Sequence, residues 1–288
     1  MNLNAQRVSL PGAGVHLAAD RWAAAGQAKG LVLLLHGGGQ TRHSWHRTGE
    51  ALAAAGWTTI AADLRGHGES DWAPDGDYSP DAMAADLRAA VGVLDEPPIL
   101  VGASMGGMTS LLALDADPGL ARGLVLVDVT PRIEEEGTAE ITRFMQGGLD
   151  GFASIEDAAD AVAAYNPHRA RPARADGLRK NLRRRGDRWF WHWDPQLLAN
   201  RVTTAHGQAR LSRRAEDAAR GLRVPTMLVR GRQSRVVSVE GVEELRALVP
   251  MAHVVDVAGA GHMVAGDDND IFGEHLLEFL DGPVQLAG

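Results

Sequence analysis

The chain has 288 residues, a formal net charge of −8 and 45% hydrophobic residues. An acidic balance gives no general basis for holding nucleic acid, which requires a basic surface to neutralise phosphates. There is no cysteine, so disulfides and thiolate metal sites are excluded, and the length fits one domain or one domain carrying an insertion.

The N-terminal MNLNAQRVSL lacks a basic start followed by an apolar run, so no secretory signal is expected. Four short apolar runs follow: LVLLL at 31–35, TTIAA at 58–62, PILVGA at 98–103 and GLVLVDV at 123–129. Each is continuous rather than alternating, the pattern of strands buried on both faces of a parallel sheet. LVLLL is far too short to cross a bilayer, so a soluble, cytoplasmic protein without a membrane partner is the expectation. Between the runs, SPDAMAADLRAAVGVL at 79–94 predicts a helix with Ser79 as cap, Pro80 in the first turn and Met83, Leu87, Val91 and Leu94 on one face. Strand alternating with helix predicts right-handed crossovers and an α/β domain.

The alternation stops near Pro131. From 132 to 221 the sequence reads as helical, polar and arginine-rich, with SIEDAADAVAAY at 154–165 carrying Ser154 and Asp157 at capping-box spacing. It resumes with VPTMLVRG at 224–231, a helix over 239–249 ended by Pro250, AHVVDV at 252–257 and a helix around 271–280. The expected organisation is a core of 1–131 and 222–288 interrupted by a helical cap of 132–221.

GASMG at 102–106 stands between a strand and a helix, which is G-x-S-x-G in the context that motif requires. Gly102 and Gly106 leave room for a sharp turn that lifts Ser104 to the carboxyl end of the sheet in a strained conformation. The next N–H, on Met105, lies at a helix N-terminus, where an anion is favoured.

With that turn the chain resembles the α/β-hydrolase family, and the resemblance runs through three further motifs. HGGGQTRHSW at 36–45 is similar to the family's oxyanion loop after the third strand, DLRGHGES at 63–70 to its D-x-R-G-x-G-x-S turn, and GAGHMV at 259–264 to the loop delivering the catalytic histidine. The resemblance implies a mostly parallel eight-stranded sheet flanked by helices, a helical cap after the sixth strand, and a triad in the order serine, acid, histidine. Ser104 would be the nucleophile and His262 the base that activates it. The family often keeps its acid in a G-x-x-D turn after the seventh strand. Here that turn is Gly231-Arg232-Gln233-Ser234, and serine cannot carry the charge. A second family location, the end of the sixth strand, is occupied by Asp128, which is therefore assigned as the acid that fixes the imidazole tautomer. Asp256 lies within a strand, and Asp267 and Asp268 follow His262 too closely. The oxyanion hole would combine the N–H groups of Met105 and Gly38, with Gly39 the alternative because three glycines leave the register open.

Other residues are weighed as structural. His36 and His67 read as members of their turns. His43 and His46 have H-x-x-H spacing without a further ligand, so no metal or other cofactor is expected. RWFWHWDP at 188–195 places Trp189, Trp191 and Trp193 on one side if extended; they either roof an apolar pocket or pin the cap to the core. Met108, Phe144 and Met145 read as packing, and Trp45 as a possible lining residue. The basic run at 168–188 reads as a solvated helix face more readily than as a device for steering an anionic substrate. The expected activity is hydrolysis of a small carboxylic ester or lactone through an acyl-serine; relatives that open epoxides or displace halide carry aspartate at the elbow. The same triad serves carbon–carbon bond hydrolases and cofactor-free perhydrolases, and a weakly catalytic ligand-binding protein is the non-enzymatic alternative. A small-molecule substrate is the expected partner, and a homo-oligomer is compatible with the sequence.

Overall fold

The computed structural model describes residues 5–165, 175–199, 205–258 and 270–285. The chain begins with an antiparallel hairpin of β1 (Gln6–Pro11) and β2 (His16–Trp22). β3 (Leu31–Leu35) leads through a 3-10 turn at Arg42–Trp45 into α1 (His46–Ala54), followed by β4 (Thr58–Ala62), α2 (Pro80–Val91), β5 (Ile99–Ala103), α3 (Met105–Ala116) and β6 (Gly123–Val127). The excursion after β6 holds α4 (Glu135–Gln146), α5 (Ile155–Tyr165), β7 (Leu182–Arg185), β8 (Arg188–Trp191), α6 (Gln196–Ala199) and α7 (Ala205–Gly221). The core resumes with β9 (Thr226–Gly231), α8 (Val239–Leu248), β10 (His253–Val257) and α9 (Asp270–Phe279). The predicted caps form: Ser79 Oγ accepts the Ala82 N–H at 3.2 Å, and Ser154 and Asp157 exchange bonds at 3.0 and 3.1 Å.

The main sheet has eight strands in the order β1-β2-β4-β3-β5-β6-β9-β10, with β2 antiparallel to both its neighbours and the remaining pairs parallel. LVLLL reads as uniformly apolar because both its faces are covered. Leu31, Leu33 and Leu35 join one core layer with Leu87, Leu111 and Leu126; Val32 and Leu34 join the other with Trp22, Trp45, Trp57 and Phe272. Each such side chain stabilises the fold by roughly 1.5–3 kcal/mol relative to exposure.

The excursion between β6 and β9 differs from the expectation in two respects. It contains a second sheet, the β7–β8 hairpin, where a helical face was expected across the arginine run. Its last helix, α7, buries Ala215, Ala218 and Ala219 in the same layer as α3, so it packs with the core helices although it falls inside the expected 132–221 cap. The elements from α4 to α6 gather instead around their own cluster, which includes Met145, Ile155, Trp191, Trp193 and Leu197 and meets Tyr78 and Met83 of the core.

Candidate active site

Every site residue that the structure describes lies at the carboxyl end of the parallel strands, where ligands bind in open α/β sheets. Ala103 of β5 pairs with Val127 of β6, so Ser104 and Asp128 leave neighbouring strands at the same level. The Ser104 N–H donates to Val127 O at 2.9 Å, and the Asp128 N–H to Val229 O at 2.8 Å. Among the described residues, Ser104 at φ 46° and Asp128 at φ 51° are the non-glycine residues in the left-handed region. Such conformations cost on the order of 1–3 kcal/mol and persist where the surroundings over-determine them. At the elbow the surroundings are backbone. A methyl on Gly106 would sit 2.5 Å from Leu35 O, and one on Gly102 would collide with the Gly106–Gly107 peptide.

The triple-glycine loop is sorted by its hydrogen bonds. The Gly37 N–H donates to Gln40 Oε1 at 2.9 Å and the Gly39 N–H to His67 Nε2 at 3.2 Å. Both N–H groups thereby have partners, which favours Gly38 over Gly39 as a donor toward Ser104. A methyl on Gly37 would lie 3.4 Å from Ser104 Cβ, and one on Gly38 would lie 3.9 Å from Met105 Sδ, so loop and elbow are adjacent. Met105 opens α3, and its N–H belongs to the first turn, whose donors have no partner within the helix.

Asp128 is buried, and both its oxygens are held from the turn after β9: Oδ1 accepts the Gly231 N–H at 3.1 Å and Oδ2 the Ser234 hydroxyl at 2.5 Å. The serine standing where an aspartate was sought is thus in contact with the carboxylate one strand away. Asp256 is turned to Arg230 at 3.6 Å. His262 lies outside the described residues, as do Asp267 and Asp268.

Buried histidines brace the loop from below. His36 Nε2 accepts the Leu64 N–H at 3.0 Å, so its proton sits on Nδ1 and is donated to Gly37 O at 2.8 Å. Burial lowers its pKa to about 4, with Arg42 adding to the shift against the Gly37 bond. His67 stands 5.0 Å from it, ring to ring, and 5.8 Å from His192. His192, which the sequence reading passed over, accepts the Gly68 N–H on Nδ1 at 2.6 Å; burial, then the nearby His67, His36 and Arg183, pushes its pKa well down. Its only signal was a polar residue alternating with tryptophans. The H-x-x-H pair faces two different carboxylates: His43 is 3.8 Å from Asp20 and His46 is 3.4 Å from Glu50. Trp45 is fully buried and packs against Phe272 in the core layer with Trp22 and Trp57.

Above the loop stands an aromatic group. Trp191 and Trp193 stack at 5.0 Å, Phe144 stacks on Tyr165 at 4.5 Å, and Phe144 lies 5.5 Å from Trp191. A methyl on Gly39 would touch the Trp193 ring at 3.3 Å and Met145 Cγ at 3.7 Å, so this group overhangs the glycine loop.

The model of the alpha/beta hydrolase fold matches residues 30–268. The chain belongs to the α/β-hydrolase family. This hydrolase is 33% identical over 260 residues to the esterase Rv0045c of Mycobacterium tuberculosis, covering 87% of this chain and 82% of that protein. It is 32% identical over 228 residues to 2-(acetamidomethylene)succinate hydrolase of Mesorhizobium japonicum, covering 78% of this chain and 79% of that one. A crystal structure of E-2-(acetamidomethylene)succinate hydrolase superposes with a TM-score of 0.82 at 26% identity, over 97% of this chain and 100% of its own. Among the described residues no helix is long and apolar enough to cross a membrane.

Proposed function

We propose that this hydrolase is a serine esterase that cleaves a small carboxylic ester or lactone through an acyl-serine intermediate. Ser104 attacks the carbonyl carbon, His262 takes its proton and returns it to the leaving alcohol, and Asp128 orients the imidazole and balances its charge. The N–H groups of Gly38 and Met105 receive the developing oxyanion, each such donor contributing about 3–4 kcal/mol. Water then enters with His262 again as base and releases the acid. One observation carries the reading: Ser104 and Asp128 hold left-handed backbones side by side at the ends of β5 and β6. The ligand-binding alternative drew on a carboxylate missing from position 234; the bond from Ser234 to Asp128 supports the reading in which Asp128 supplies it from the adjacent strand. The overhang of Trp193, Met145 and Phe144 suits an apolar acyl group.

The test is Ser104→Ala. Turnover of short-chain p-nitrophenyl esters should fall by at least about 10³-fold with the circular dichroism unchanged. A fluorophosphonate probe should label the native enzyme stoichiometrically and the variant not at all. Undiminished hydrolysis by the variant overturns the assignment. A panel of esters, a vinylogous diketone, and acetate with peroxide separates ester cleavage from carbon–carbon cleavage and perhydrolysis.

A further inference from the structure

We propose that Ser234 is a positioning residue that locks the carboxylate of Asp128, a role that rests on Asp128 being the triad acid. A serine hydroxyl has one proton to give and two lone pairs to receive with. Here the Val236 N–H at 3.1 Å and the Val237 N–H at 3.4 Å both point to Ser234 Oγ. With its acceptor side engaged by backbone, the hydroxyl has its proton committed to Asp128 Oδ2 at 2.5 Å, a charge-assisted bond with a fixed direction. The turn that carries it is itself tied down. The Ser234 N–H donates to Gly231 O at 2.9 Å, the Arg232 N–H reaches Val257 O of β10 at 3.0 Å, and the Gly231 N–H takes Asp128 Oδ1 at 3.1 Å.

One turn therefore grips both carboxylate oxygens and sets the plane of the group. That grip also supplies the over-determination that a left-handed aspartate needs. The segment carries no carboxylate of its own between 227 and 238; in this chain it supplies donors to an acid seated on the adjacent strand.

The experiment is a double-mutant cycle on the full chain, with kcat and KM for p-nitrophenyl acetate and the rate of fluorophosphonate labelling of Ser104 as readouts. Asp128→Asn should reduce kcat by several orders of magnitude. Ser234→Ala should reduce kcat about ten- to a hundredfold with KM within twofold, the size of one lost charge-assisted bond. Ser234→Thr, which keeps the hydroxyl, should stay within about threefold of the native enzyme. In the Asp128→Asn background Ser234→Ala should cause no further fall, because the hydroxyl acts through the carboxylate. If Asp128→Asn runs at the native rate, the triad reading itself fails. If Asp128→Asn is inactive but Ser234→Ala leaves kcat unchanged, or lowers kcat and labelling equally in both backgrounds, the triad stands and the role of Ser234 is overturned. Thermal melts of each variant separate a folding defect from a positioning one.

Discussion

Two backbone angles mark the residues proposed to carry the chemistry of this hydrolase. Ser104 and Asp128 both occupy a region that L-residues avoid, and each is forced there by close neighbours. For Ser104 the force is the glycine packing of α3 against β3 and β5; for Asp128 it is the pair of donors from the turn after β9. Gly106 tests the first of these. Its absent side chain lets α3 approach to where a methyl would be 2.5 Å from Leu35 O and 2.8 Å from His36 O, both parts of the sheet and the oxyanion loop. Gly106→Ala must shift one of those backbones, since neither is a flexible side-chain end, and overpacking of this kind costs about 1–3 kcal/mol or more. The urea midpoint should fall accordingly, and probe labelling of Ser104 should drop more steeply than stability because the elbow and the Gly38 loop move apart. Gly119→Ala, whose nearest neighbour would be 3.7 Å away, is the control. An unchanged midpoint in Gly106→Ala would show that the close approach is not what shapes the elbow.

At the scale of elements, the short strand β8 and its extension dock the excursion onto the core by alternation. Trp191 and Trp193 turn into the aromatic cluster, while His192 and Asp194 turn to the core. Asp194 accepts the Tyr78 hydroxyl on Oδ2 at 2.5 Å and the Gln196 N–H on Oδ1 at 2.9 Å, and its own N–H reaches Gly66 O at 2.9 Å. Asp194→Ala leaves the proton of the buried Tyr78 hydroxyl, which still accepts the Ala73 N–H, without an acceptor, at a cost of about 1–3 kcal/mol. Hydrogen exchange across 182–198 should speed up while α3 keeps its protection, and kcat/KM should fall because Trp193 no longer presses on Gly39. Arg184→Ala, an exposed position stacked 5.9 Å from Trp189, should change neither. Equal exchange in the two variants would mean that the anchor lies elsewhere. This anchor was illegible beforehand for a physical reason. The arginine run reads as a helix face, yet Arg183 and Arg185 lie over Trp72 and Arg185 over Phe190, so planar guanidinium stacking supports a hairpin. β1 and β2 were likewise missed as patterns, because half-exposed antiparallel strands alternate instead of forming the continuous runs that marked β3 to β6. α7 read as cap because its buried stripe is made of small alanines in a polar helix. By contrast, Ser104 and the glycines around it were plain, since their spacing is imposed by backbone contact. The partner of the Gly39 N–H, His67, comes from a turn 28 residues away, which one-dimensional spacing does not encode.

At the scale of the whole molecule, the contact between core and excursion is built on buried histidines. His36 at the end of β3, His67 in the 63–70 turn and His192 beyond β8 form one buried row, with Arg42 and Arg183 close by. The first cause of the lowered pKa of His36 and His192 is burial, which penalises the imidazolium. In the unfolded chain both titrate near 6.5. Below that pH the unfolded state binds protons that the native state refuses, so stability rises with pH through this window and falls as the solution is acidified. For His36 the window runs from about 6.5 down to about 4, and it removes on the order of 3 kcal/mol at about 1.4 kcal/mol per pH unit. His192, lowered well below its ordinary value, adds a slope of the same sign, and so does His43, lowered first by burial and then by Arg42 and Lys180. The carboxylates of Glu69, Asp77 and Asp81, whose pKa values are lowered, act in the same sense but begin only near their ordinary pKa, below about 4.5. Urea midpoints at pH 7.5, 6.5, 5.5 and 4.5 should therefore decline from pH 6.5 onward, well before carboxylate protonation begins, with a slope equivalent to about two to three protons taken up on unfolding. His192→Gln should reduce that uptake by about one proton even though its absolute stability is lower, because the side chain no longer titrates. A midpoint flat between pH 6.5 and 5, or a slope unaltered by His192→Gln, would mean that these rings take up protons in the native state and that the junction between core and excursion tolerates their charge.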